Sequence, residues 1–161
     1  MQNALELAAQ IGTELKAKRL LLTVAESCPG GGVAQAITEI AGSSEWFDCG
    51  FVTYSNSSKS ELLNIPAALI ARHGAVSEEI AAAMAEGAIA NSEGNASLST
   101  TGIAGPTGAV PGKPVGTVCF GWVVGGVTHT ERLIFTGDRH AVREQTVAHA
   151  LAKLLRYLQE L

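Results

Sequence analysis

Apolar residues at Ala4, Leu7, Ala8, Ile11 and Leu15 recur at the spacing of one helical face, and Asn3 with Glu6 has the form of a capping box. This predicts a helix over residues 3–18. A short β-rich run, residues 20–25, follows, and then a glycine cluster and a second helix through Val33, Ile37 and Ile40 that ends at Gly42. Residues 51–54 read as another short strand. The run Ser55-Asn56-Ser57-Ser58 after it favours caps and turns, so Lys59 falls near the first turn of a helix. The Ala-rich segment 77–91 is helical, with Ser77 as its cap and Gly94 as its stop. Residues 96–101 form a strand, and the glycines and prolines of 102–116 mark a long loop of the kind that is functional or mobile in compact domains. Apolar runs at 115–124 and 127–135 flank Gly125-Gly126, a two-residue hairpin signature. Asp138 caps a final helix with Val142, Val147, Leu151, Leu154 and Leu158 at its apolar positions.

Strands alternating with helices, then a hairpin and a closing helix, predict an α/β protein: a three-layer α/β/α sandwich with a mixed sheet that includes a C-terminal antiparallel hairpin. A chain of 161 residues fits a single domain over residues 1–161. Its hydrophobic fraction of 47% and charged fraction of 16% suit an ordinary globular core. The net charge of −4 argues against extended nucleic-acid binding, which needs clustered Lys and Arg. Cys28, Cys49 and Cys119 are odd in number and lack zinc-like spacing, so no disulfide framework and no structural metal is expected. No apolar run reaches the length of a membrane span, and the first residues carry glutamates at helical spacing rather than a signal-peptide order. A cytoplasmic protein with no membrane partner is the expectation.

In open α/β sheets ligands gather outside the carboxyl ends of strands. Four features fall at such ends: Ser27 to Gly32, Tyr54 to Lys59, Gly102 to Thr107, and Gly137 to Arg143. Ser27 would need a base to act as a nucleophile. None of the four histidines adjoins a strand end, whereas Lys59 does. A lysine base must lose its proton readily, and a helix N-terminus opposes a cation by only about 0.3–1 kcal/mol, so burial or a nearby cation must supply the rest. Tyr54 could relay or orient the proton. The competing reading makes Lys59 a solvated helix residue and Tyr54 a core aromatic.

Cys28 is a rival nucleophile or a small packing residue, with packing the better reading in the absence of a nearby histidine. Glu26 points to the opposite side of its strand from Ser27 and could meet a cationic ligand group or a structural partner. Gly30 and Gly31 can offer N–H groups to an anion or oxyanion, although glycines also serve close packing. Arg139 and Arg143, one helical turn apart beyond the Asp138 cap, form a sensible phosphate seat or a solvated helix face. Gly105 and Thr107 of the long loop could add donors.

The motifs AESCPGG, GFVTYSNSSK, GAVSEE, GIAGPTG with KPVGTV, and GDRHAVR, in this order along nearly the whole chain, resemble the CinA C-terminal domain family. Its stand-alone members look like nicotinamide-nucleotide amidohydrolases. The resemblance implies hydrolysis of nicotinamide mononucleotide to nicotinate mononucleotide and ammonia, in pyridine nucleotide salvage, with no metal or organic cofactor. It matches the family's serine to Ser27, its lysine to Lys59 and its assisting tyrosine to Tyr54. Where the family usually has threonine, this chain has Pro29, a residue suited to a first helical turn. The expected substrate contacts are Gly30 and Gly31 at the oxyanion, and Arg139, Arg143, Gly105 and Thr107 at the phosphate. A noncatalytic nucleotide-binding or regulatory module associated with competence is the alternative, and a homo-oligomeric scaffold a third reading. Homo-oligomerisation is expected alongside catalysis.

Overall fold

The capping box forms: Asn3 Oδ1 accepts the N–H of Glu6 at 2.8 Å, and Glu6 Oε2 accepts that of Asn3 at 3.2 Å. It opens helix α1 (Ala4–Lys18) in this computed structural model, which describes residues 2–161. The elements that follow are β1 (Leu22–Glu26), α2 (Gly32–Thr38), β2 (Phe47–Val52), α3 (Asn56–Leu63), α4 (Ala67–His73) and α5 (Glu78–Ala90). The chain then continues through β3 (Ala96–Gly102), β4 (Thr117–Val124), β5 (Val127–Ile134) and α6 (Arg139–Gln159).

The strands form one sheet in the order β2-β1-β3-β4-β5, with β1 parallel to both its neighbours and β4 antiparallel to β3 and β5. The sheet is therefore mixed, as expected. The hairpin closes through Gly125 and Gly126, whose φ values of 61° and 77° are those of the tight turn that only glycine adopts freely.

Alternation along the strands divides the core between the two faces. Leu22 and Val24 of β1, Leu98 of β3, and Phe120 and Trp122 of β4 pack with α1, α2 and α6. Helix α6 seals that layer with Leu151, Leu154 and Leu158, each fully buried leucine being worth about 1.5–3 kcal/mol. Trp122 donates its Nε1–H to Ala150 O, so its buried polar atom is satisfied. On the other face Ala25 meets Leu63, Ile70, Ile80 and Met84 from α3, α4 and α5.

This second layer sits very close to the sheet. Ser97 and Ser99 of β3 donate to Ala85 O and Ala81 O of α5 at 2.7 and 2.5 Å, and a Cβ on Gly121 would stand 2.5 Å from Ala81 O. Small residues on both partners permit the approach. One step further along β3, Thr101 Oγ1 donates to Ala75 O at 2.8 Å and draws the segment before α5 to the strand ends.

Several boundaries differ from expectation. The second strand is Phe47–Val52 rather than residues 51–54, because Asp48 and Gly50, poor strand formers, occupy its exposed positions on an edge strand. Helix α2 stops at Thr38, and a 3-10 turn, Ser43–Glu45, follows Gly42. The helical pattern that leads to His73 is a separate short helix, α4, whose seven residues begin after Pro66. Pro29 lies in the loop before α2 and not in a helical turn.

Candidate active site

Strand β1 ends at Glu26, and the N–H of Ser27 extends its ladder by donating to Thr100 O at 2.9 Å. Glu26 shares the face of Leu22 and Val24, so Ser27 emerges toward the α3 side. There Ser55 caps α3, its hydroxyl accepting the Ser58 N–H at 3.1 Å, and Lys59 follows in the first turn, as the serine run predicts.

Lys59 is only 1% exposed. Its Nζ lies 2.9 Å from Thr53 O, 3.3 Å from Tyr54 O and 3.5 Å from Ser27 Oγ. Among the described residues it has no carboxylate partner within ion-pair distance. Burial pushes its pKa down from the ordinary lysine value, because the charged form loses water and gains no counter-ion. A neutral amine has two N–H bonds and one lone pair. With the two hydrogens donated to the Thr53 and Tyr54 carbonyls, the lone pair is left to face Ser27 Oγ, the geometry a base needs.

The pair opens into a cleft of about 460 Å³ lined also by Cys28, Gly30, Tyr54, Arg139 and Arg143. No carboxylate lines it among the described residues, so its charge is cationic. The two arginines stand in the first turns of α6, whose cap forms through Asp138 Oδ1 and the Ala141 N–H at 2.8 Å. Each spends one N–H on a loop carbonyl: Arg139 on Gly105 O at 2.9 Å, Arg143 on Pro29 O at 3.0 Å. A guanidinium has five donors, so both keep donors for an anion.

The expected residues do not all gather here. Tyr54 is at the rim with a 67% exposed side chain, and it meets Lys59 through its main-chain carbonyl; its hydroxyl makes no hydrogen bond to Ser27 or Lys59. Gly31 does not line the cleft, and its N–H is donated to Glu26 Oε1 at 3.1 Å. Gly105 is held under Arg139, and Thr107 is exposed outside the cleft. Thr101, Ala75 and Val76 line it without having been anticipated. For Thr101 the signal was the alternation of Ser97, Ser99 and Thr101, which sets three hydroxyls on one face of β3.

The histidines stay away: His149 pairs with Glu131, His140 with Glu144 and His73 with Glu79. Cys28 lines the cleft beside Ser27 and also packs in the buried core; burial raises its pKa and keeps the thiol protonated, an effect that Arg143 and Arg139 only partly oppose. No group of three or more metal-ligating side chains gathers among the described residues, and no helix is long and apolar enough to cross a membrane.

This arrangement has close relatives. Residues 4–158 match the CinA C-terminal domain. The nicotinamide-nucleotide amidohydrolase PncC of Pseudomonas putida is 48% identical over 149 residues, covering 92% of this chain and 93% of the relative. The protein of the same name from Escherichia coli K12 is 48% identical over 151 residues, covering 93% and 92%. A CinA superfamily protein from Klebsiella pneumoniae 700603 superposes with a TM-score of 0.95 at 38% identity, over 99% of this chain and 100% of that one. A match along nearly the whole chain, at this identity and with the same fold, places the chain in the CinA C-terminal domain family.

Proposed function

We propose that this chain is a nicotinamide-nucleotide amidohydrolase, converting nicotinamide mononucleotide and water to nicotinate mononucleotide and ammonia in pyridine nucleotide salvage. The near full-length similarity to the two PncC proteins supports the activity. The observation that carries the mechanism is a buried lysine without a counter-ion, 3.5 Å from a serine hydroxyl at a strand end.

In this reading Ser27 Oγ attacks the carboxamide carbon while neutral Lys59 takes the hydroxyl proton. The Gly30 N–H supports the oxyanion of the tetrahedral intermediate. Lys59 then returns its proton to the leaving nitrogen as the C–N bond breaks, and ammonia departs from an acyl-enzyme. Water attacks the ester with Lys59 again as base, releasing the carboxylate and restoring Ser27. The pyridinium charge of the substrate draws electrons from its carboxamide and disfavours a protonated Lys59, so one charge assists both attack and deprotonation. Arg139 and Arg143 hold the ribose phosphate, and Tyr54 lies at the rim, where its ring can cover the pyridinium. The chemistry calls for neither metal nor organic cofactor.

A single domain over residues 1–161, working in the cytoplasm as a homo-oligomer, completes the proposal. Exposed Val127 and Ile134 on edge strand β5 support association between chains.

The test is a time course of nicotinamide mononucleotide, its acid product and ammonia with purified protein and added chelator, run beside Ser27→Ala. Wild type should release ammonia in step with acid, and folded Ser27→Ala should release none. Full turnover by Ser27→Ala would remove the nucleophile assignment.

A further inference from the structure

Glu26 is a fully buried carboxylate that the chemistry above does not use. It is the last residue of β1, one position before the nucleophile, and it points to the opposite face of the sheet. Its Oε1 accepts the N–H of Gly31 at 3.1 Å and of Val33 at 3.0 Å, and its Oε2 accepts that of Ala34 at 3.0 Å. Helix α2 has no cap of its own, because Gly31 stands at its N-cap position. A strand residue thus performs the capping that a serine or aspartate at position 31 would otherwise supply. Burial raises the carboxyl pKa, an effect that the three N–H bonds and the Arg143 charge only partly oppose.

The consequence falls on the loop between Ser27 and Gly31. Its start is tied by the Ser27 N–H to Thr100 O, its middle by Pro29 O to Arg143, and its end by the Gly31 N–H to Glu26. Pro29 has no N–H, and Gly31 has given its own to Glu26. Gly30 lines the cleft, and its N–H makes no hydrogen bond to any described residue.

We infer that Glu26 is a positioning residue for the amide hydrolysis: by taking the Gly31 N–H out of the cleft and pinning the loop, it leaves the Gly30 N–H fixed as the oxyanion donor. The inference rests on Ser27 being the nucleophile. It also predicts that a carboxylate is required at this position. A glutamine has one acceptor oxygen, and its amide nitrogen would meet another N–H where Oε2 now accepts from Ala34 or where Oε1 accepts from Gly31 and Val33.

Two experiments test it. Glu26→Gln should lower kcat about 100-fold, the scale of a lost oxyanion donor, while KM for nicotinamide mononucleotide stays within about twofold because the phosphate seat is on α6. Wild-type kcat in a folded Glu26→Gln overturns the inference. The second uses the unaltered protein with N-methylpyridinium-3-boronic acid as probe. The Ser27 oxygen bonds to boron, its proton passes to Lys59, and neutral trigonal boron becomes an anionic tetrahedral boronate with no bond to boron broken. In amide NMR spectra the Gly30 proton should move downfield on adduct formation, with those of Gly31, Val33 and Ala34 nearly unmoved. A downfield shift at Gly31 in place of Gly30 overturns the inference. Full turnover in folded Glu26→Gln together with none in Ser27→Ala removes this inference alone, whereas full turnover in Ser27→Ala removes the nucleophile on which it rests.

Discussion

The Nζ of Lys59 and the Oγ of Ser27 lie 3.5 Å apart, although one belongs to the first turn of α3 and the other to the end of β1. Replacing Lys59 by Met, an apolar side chain of similar length, should lower kcat by about 10²- to 10⁴-fold, the range for loss of a general base. Single-turnover kinetics would place the loss in the acylation step. An unchanged acylation rate would exclude Lys59 as the base.

The same substitution has a stability signature with a definite sign. Burial lowers the Lys59 pKa in the fold below the ordinary lysine value of 10.5, so between the two values the unfolded chain binds more protons than the folded one. Wild-type stability contributed by this group therefore rises with pH across that window, and the burial penalty is greatest below the folded value. Urea unfolding should find Lys59→Met more stable than wild type at neutral pH, with the gap narrowing as pH approaches 10.5. A gap that widened with pH would contradict a lowered pKa.

Arg139→Ala should raise KM for nicotinamide mononucleotide by about 10-fold or more, the scale of a lost charge-assisted hydrogen bond. The comparison substrate is nicotinamide riboside, which lacks the phosphate. Wild type and Arg139→Ala should use it equally poorly, and an equal KM rise for both substrates would point instead to the Gly105 contact.

Cys28→Ala should retain most of its turnover, because burial holds the thiol protonated beside Ser27. Iodoacetamide should accordingly react slowly with wild type at neutral pH. Complete loss of ammonia release in a folded Cys28→Ala would return the nucleophile role to the thiol.

Gly121→Ala tests the close approach of α5 to the sheet. Its new Cβ would meet Ala81 O at 2.5 Å and Ser99 Oγ at 2.7 Å, with helix backbone unable to retreat without breaking the Ser97 and Ser99 bonds. A loss of about 1–3 kcal/mol by urea unfolding is expected, as for overpacked cores. Unchanged stability would mean the helix can move freely.

Much of this was legible in the chain. Ser55 to Ser58 announce a helix start, which places Lys59 in a first turn, and Gly125-Gly126 between two apolar runs fixes the hairpin. The mixed three-layer architecture follows from the order of such signals. The meeting of Ser27 with Lys59 does not, because it depends on β2 lying beside β1, and strand order leaves no mark in local pattern. Two contacts were hidden for one reason. Lys59 is held by the main-chain oxygen of Tyr54, and Gly31 is held by its main-chain nitrogen; both groups are present in nearly every residue, so side-chain identity could not reveal which would be engaged. Asp48 and Gly50 hid the first half of β2 because neither favours a strand, and Gly50 leaves no side chain to mark the face it turns toward Val24 and Ala34.

The placement of β2 at the sheet's margin carries one more implication. The alcohol of the proposed reacting pair is anchored to a strand flanked on both sides, whereas the amine and the two oxygens that aim it hang from the outermost strand and the helix that follows. Fraying of that border would part the two halves while the interior stayed intact, so warming would silence the enzyme before it melted.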